Sequence, residues 1–315
     1  MSNIIFSTRH KGLLFLCIAL LCSISGCSSK QTKQTAVQAE IPRDNTPRIL
    51  TPAATGTTIF ENDIVTMDVS NTSAGYIILT YQGHNEKVKF QVSAPDEVTY
   101  TYLVTDREKP IVYPLTGGNG VYLFSLLESV DTKKDLYAIT FSQETEVSIT
   151  DEFLPYLTPN VYSFFDSSSL SVLKGTELAK ECCSDLDVIE NIYYFVTQTI
   201  TYDEEKAQSV TYGYIPNPDE TLSLGKGICF DYASLMTAML RSQQIPTRLE
   251  VGYAGEVYHA WISCYVDEIG WVDHIIQFDG ESWSLMDPTL AANNSSTAVQ
   301  EYIGDGSKYI VKYTY

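Results

Sequence analysis

Residues 225–242 read GKGICFDYASLMTAMLRS, and the fold turns on this stretch. Gly225 and Gly227 permit a tight turn before Cys229, after which Tyr232, Leu235, Met236, Met239 and Leu240 recur at helical spacing. The pattern predicts a core helix whose first turn carries the cysteine. There a thiolate faces the positive end of the helix dipole, and the glycines leave room for a carbonyl group to approach. Asp231, two residues on, points away from the thiol on such a helix. An isolated cysteine in a helical turn is usually a small buried hydrophobe, so the surrounding sequence has to decide its role.

Downstream, the helix is expected to end near Gln243-Gln244, and Ile245-Pro246 opens a strand. In it Leu249, Val251 and Tyr253 alternate with Arg248, Glu250 and Gly252. A second strand is predicted over Tyr258 to Val266, with His259, Trp261, Ser263 and Tyr265 on one face. Cys264 shares the opposite face and reads as packing. A third segment, Trp283 to Asp287, places Trp283, Leu285 and Asp287 on a common face. If these strands pair in one sheet, His259 and Asp287 become neighbours with Cys229 above them. A cysteine, a histidine base and an orienting carboxylate form the logic of thiol acyl transfer. Asp273, after Gly270-Trp271-Val272, is a rival acid. His274 is a competing histidine, although its alternation with Val272, Ile276 and Phe278 points to core or interface.

Upstream, Ser184 and Asp187 form a capping-box pattern, followed by an apolar stripe of Ile189, Ile192, Tyr193 and Val196. Residues 203–220 are polar and carry tyrosines, which predicts a long loop beside the site. Trp261 reads as a wall of the site, and Gln208, Tyr212 and Tyr214 are candidates for substrate contact. The Cys229 backbone N–H is a natural first oxyanion donor; the three loop residues are candidates for the second.

Between 51 and 150 the period is two. Val65, Met67 and Val69 alternate with polar residues, as do Val88, Phe90 and Val92, and turn residues such as Gly117-Gly118-Asn119-Gly120 separate the runs. Seven or so short strands at this spacing predict an immunoglobulin-like sandwich for residues 51–150, with a boundary near Asp151 to Pro159. Nothing in this part marks chemistry, and its role is spacing or binding.

The first 26 residues combine a basic Arg9, His10 and Lys11 with an apolar run from Leu13 to Leu21, as an export signal does. Ile24-Ser25-Gly26-Cys27 resembles the lipobox of bacterial lipoproteins. That resemblance implies cleavage before Cys27, acylation of its thiol, and a protein held at a membrane outside the cytoplasm. Residues 27–50 are polar and read as a flexible tether. With 39 acidic and 20 basic residues the chain is strongly anionic, which disfavours nucleic acid as a partner. Its cysteines show neither a disulfide framework nor zinc spacing, so no metal or other cofactor is expected.

Taken together, Gly227-x-Cys229-x-Asp231-x-Ala233, Gln244-Ile245-Pro246-x-Arg248-x-x-x-Gly252, His259-Ala260-Trp261 and Asp287-Pro288-Thr289 resemble the core of the transglutaminase-like superfamily. Ile200-Thr201-Tyr202-Asp203 matches the segment that precedes the site in that family. The resemblance covers roughly residues 153–290 and implies a papain-like α+β catalytic domain over 151–315. It makes Cys229 the nucleophile, His259 the base and acid, and Asp287 the carboxylate that orients His259. It implies an enzyme that hydrolyses peptide, isopeptide or glutamine amide bonds, or crosslinks proteins, with protein, peptide or cell-wall peptide as substrate. A non-catalytic module binding substrate or cell wall on the same fold is the alternative. A sandwich-borne adhesin with an accessory enzyme is a third reading.

Overall fold

The structure, a computed structural model, describes residues 43–267, 269–272, 276–278, 283–285 and 309–315, the segments 276–278 and 283–285 by their backbone alone. Its first half is built from period-two segments. Strands β1 (Ile59–Asn62), β2 (Val65–Asp68), β3 (Tyr76–Tyr81) and β6 (Ile111–Pro114) form one antiparallel sheet in the order β1-β2-β3-β6. Strands β4 (Val88–Ser93), β5 (Thr99–Leu103), β7 (Gly120–Asp131) and β8 (Leu136–Val147) form the other, in the order β5-β4-β7-β8. In β4 the alternation is complete: Val88, Phe90 and Val92 are buried, and Lys89, Gln91 and Ser93 are not. Phe90 meets Tyr113 of the opposite sheet with ring centroids 4.7 Å apart, so the two sheets pack face to face as a sandwich.

The second half is helix on sheet. Helices α1 (Leu170–Ala179) and α2 (Asp185–Thr199) lead to the two-residue strand β9 (Thr201–Tyr202). The predicted capping box at α2 is present, Ser184 Oγ accepting from the Asp187 N–H at 3.2 Å and Asp187 accepting from the Ser184 N–H at 2.9 Å. After α3 (Glu204–Ser209), α4 (Pro218–Leu224) and β10 (Lys226–Gly227) comes the core helix α5 (Cys229–Ser242). From Asp231 to Ser242 every residue of α5 is buried, which is why its sequence shows apolar or small groups on nearly all sides.

The helix packs on a four-stranded antiparallel sheet. Its strands are β11 (Thr247–Ala254), β12 (Val257–Val266), β13 (Gly270–Val272) and β16 (Tyr309–Thr314), in the order β13-β12-β11-β16. The remaining strands, β14 (Ile276–Phe278) and β15 (Trp283–Leu285), pair only with each other among the described residues. Here the structure departs from expectation: the strand beside β11 is β16, and Trp283–Leu285 lies in a ladder of its own. Residues 203–220 also differ, being two short helices and a turn instead of one long loop. Asp203 caps α3 by accepting from the Lys206 N–H, and Asn217 caps α4 with Pro218 in its first turn.

One apolar core runs through residues 65–315, and residues 42–315 cluster as a single compact unit. The seam is aromatic. Tyr102 of β5 lies 5.6 Å from Tyr162 and 6.0 Å from Tyr315, and Tyr162 lies 5.1 Å from Phe230, the residue after Cys229. The last residues of the expected tether are held as well. Arg43 pairs with Asp185 at 2.6 Å and donates to the Gln243 carbonyl, and the Arg48 N–H donates to the Ser242 carbonyl at 3.0 Å.

Candidate active site

Cys229 is the first residue of α5, and the extended backbone of Ile228 (φ −97°, ψ 177°) turns the chain into the helix. Asp231 fixes that turn. Its carboxylate is fully buried and accepts from the Ile228 N–H at 2.8 Å, from Tyr214 Oη at 2.6 Å and from Lys206 Nζ at 2.6 Å. Gly227 is required beside it, because a Cβ there would lie 2.6 Å from the Asp231 Cβ. Asp231 thus fastens the α3 segment to the helix N-terminus.

His259 sits on β12 directly opposite Gly252 of β11. Opposed residues in an antiparallel pair share a face, so Gly252 brings no side chain against the imidazole. Gly252 has a second reason to be glycine, since a Cβ would run into the Ile310 carbonyl of β16. On the same face Trp261 stacks on His259, centroids 6.2 Å apart and 26° between planes. The indole N–H donates to Glu250 at 2.7 Å, and Ser263 Oγ donates to the same carboxylate oxygen at 2.7 Å. Glu250, only 5% exposed, is thereby a fixed polar post behind the histidine. In the sequence Glu250 shows only as one of the residues that alternate with Leu249, Val251 and Tyr253.

Cys229 and His259 line a single cavity of about 540 Å³. Tyr212 and Tyr214 line it too. Gln208 is exposed on α3 and does not reach it, and Trp261, 1% exposed, is buried behind His259 instead of forming a wall. Asp287, Asp273 and His274 lie outside the described residues. Further residues reach the cavity that the sequence did not mark as part of it, among them Phe230, Tyr258, Tyr313 and, from the sandwich, Thr101. The tyrosines among them show in the sequence only as a high count, 22 in all, because they come from separate segments. Burial raises the Tyr258 and Tyr212 phenols above their ordinary value, and it raises Tyr214 further with Asp231 as its hydrogen-bond acceptor. Among the described residues no group of His, Cys, Asp and Glu has the arrangement of a metal site.

A cysteine opening a buried helix and a histidine on the adjoining antiparallel sheet, both facing one cavity, define the papain-like α+β class. Residues 175–274 match the family model of the transglutaminase-like superfamily, and this part of the chain is a transglutaminase-like domain. The UPF0252 protein of Methanocaldococcus jannaschii is 33% identical over 91 residues, 25% of this chain and 26% of that protein. The chain therefore spans about a quarter of the length of that curated relative. A solved candidate cysteine protease from Cytophaga hutchinsonii is 16% identical, with 74% of this chain and 69% of that one covered at a TM-score of 0.33. A candidate protease from Parabacteroides distasonis (10% identity, 67% and 64% covered, TM-score 0.29) is also similar. So is red sea bream transglutaminase, at 13% identity, 72% and 53% covered and TM-score 0.29.

Proposed function

We propose that the protein is a cysteine acyl-transfer enzyme that cleaves amide bonds through a thioester on Cys229. The observation that carries this reading is the shared cavity of Cys229, at the N-terminal turn of α5, and His259, on the sheet beneath. In the first step the Cys229 thiolate attacks the amide carbon, and the new C–S bond forms as the carbonyl electrons move to oxygen. Collapse breaks the C–N bond, and the amine leaves with a proton from His259. Water, deprotonated by His259, then attacks the thioester carbon; the S–C bond breaks, giving a carboxylic acid and the free thiol. An amine in place of water gives a new amide, which is crosslinking. Asp287 is assigned to orient the imidazole, and the Cys229 N–H to meet the oxyanion. Peptide, isopeptide and glutamine amides are the substrates this chemistry accepts, and hydrolysis is the preferred outcome.

Alkylation of residues 28–315 by iodoacetamide between pH 4 and 9, mapped by mass spectrometry, tests the nucleophile. Cys229 is expected to react faster at pH 6 than Cys182, Cys183 and Cys264, and His259→Ala to slow it. Burial already raises the Cys264 and Cys182 thiols above their ordinary value, Cys264 to about 12, so neither competes. Equal rates at all four cysteines and indifference to His259 would leave the non-catalytic binding module as the reading. We further propose attachment to a membrane through acylated Cys27, on the strength of Ile24-Ser25-Gly26-Cys27 after an apolar run. A Cys27→Ala chain that stays in the membrane fraction rules this out.

A further inference from the structure

Among the described residues, not one Asp, Glu, Lys or Arg lines the cavity at Cys229. Aromatic rings supply a large part of the wall, among them Tyr202, Tyr212, Phe230, Tyr258 and Tyr313. We infer that it selects, as the side chain adjoining the reacting carbonyl, an uncharged aromatic or aliphatic group. This inference rests on the thiol acyl-transfer reading above. A carboxylate entering such a cavity gives up its hydration with no Lys or Arg among the described lining residues to replace it, and the chain's net charge of −19 adds repulsion. An ammonium likewise meets no carboxylate among the described lining residues. Aromatic faces attract cations, but several of these faces are already engaged with one another. Tyr162 meets Tyr315 edge to face at 4.7 Å and Phe230 at 5.1 Å, and Tyr313 stacks on Tyr315 at 6.3 Å. What remains is a mainly apolar wall around a volume in the range of small-molecule sites.

Two further features agree. The wall is braced from the sandwich: Tyr212 Oη reaches the Thr101 carbonyl of β5 at 3.5 Å, and Gly213, at φ +86°, lies so close to Leu103 that a Cβ would collide with it. The N-terminal sheet is therefore a part of the substrate cleft. Outside the cavity, Tyr258, Tyr253 and Ile310 stand opposite one another across β12, β11 and β16, and are 58%, 39% and 54% exposed. Tyr258 also lines the cavity, so this exposed apolar row continues the wall outward as a track for the flanking residues of an extended peptide.

A matched set of N-acetylated aminoacyl chloromethyl ketones bearing Phe, Leu, Glu or Lys side chains tests the inference without requiring the natural substrate. In each, the Cys229 sulfur forms a C–S bond as the C–Cl bond breaks and chloride leaves, and the thiol proton passes to His259 or solvent. The Phe and Leu probes are expected to inactivate the full chain at least about tenfold faster than the Glu and Lys probes. With rates normalised to iodoacetamide on the same protein, Tyr212→Ala or Tyr258→Ala should lower the Phe-to-Glu ratio roughly three- to tenfold, the worth of one aromatic contact. Both side chains are more than half exposed, so folding tolerates their loss, and Tyr212→Phe should keep the ratio. Selective iodoacetamide labelling of Cys229 together with equal rates for all probes, or with Glu or Lys ahead, overturns the inference and leaves the nucleophile standing. Failure of iodoacetamide to single out Cys229 overturns both.

Discussion

The buried carboxylate of Asp231 shows how much one residue settles beyond what its motif reveals. Its partner Lys206 keeps 31% of its side-chain exposure, whereas Asp231 keeps none. Removing one or the other is therefore not equivalent. Lys206→Met strands a desolvated carboxylate and is expected to cost about 3 kcal/mol, toward the lower end for a broken buried pair because Tyr214 and the Ile228 N–H still donate. Asp231→Asn keeps the shape and lets Lys206 turn to water, and should cost about 1–2 kcal/mol. Urea denaturation of the two variants checks the order, and a larger loss for Asp231→Asn would refute it. At this scale the sequence was legible for Cys229, His259 and Asp231, because each sits in a short motif. It was not legible for Lys206, 25 positions before its partner, or for Glu250, whose partners Trp261 and Ser263 lie across a strand pair.

At the scale of elements, what could be read was what is local and long. Helix α5 and strands β4 and β12 announce themselves by sustained periodicity. Helices α3 and α4, of 6 and 7 residues, are too short to show a stripe and are marginal without tertiary support. Their caps were present in the sequence, Asp203 three residues before Lys206 and Asn217 before Pro218, but so short a helix leaves a cap little to begin. The α3 cap also makes a pH prediction. The Lys206 N–H, then Lys226, hold the Asp203 carboxyl below its usual 3.8. A depressed carboxyl stabilises the fold above its unfolded pKa, and that contribution disappears as pH falls through the folded value. The difference in thermal midpoint between the wild-type protein and Asp203→Asn should thus be constant above ~pH 5 and close below ~pH 4. A difference that persists unchanged to pH 2.5 means the cap works by shape and not by charge.

In the whole molecule the two halves share a core that the sequence presents as separate. The sandwich is legible by its strands, and the later part by its motifs. Their union is not, because it consists of rings from Tyr100 and Tyr102 against Tyr162, Tyr313 and Tyr315, contacts with no periodicity to betray them. The same holds for β16, whose place beside β11 joins residues about sixty positions apart. Within the second half, Arg241 adds a polar joint. Fully buried, it donates to carbonyls of Thr158 at 2.8 Å, Thr247 at 2.7 and 3.0 Å, and Tyr315 at 2.8 Å. Deletion of residues 51–150 exposes the aromatic seam and removes the Thr101 and Leu103 support of the 210–214 turn. Such a truncated chain is expected to lose cooperative thermal unfolding and the selective alkylation of Cys229. If it keeps both, the sandwich is an appendage and not part of the cleft.

The clamp at Arg43 gives the molecule a mechanical polarity. Tension applied upstream of Arg43 first meets the pair with Asp185 and the bond to the Gln243 carbonyl, then the Arg48 bond to Ser242. These hold the strap to the start of α2 and the last turn of α5, a helix of 14 residues and hence ~20 Å long. Load is taken up at the end of that helix farthest from Cys229. A pull strong enough to peel the strap away would do so bond by bond before it strained the turn that presents the thiol.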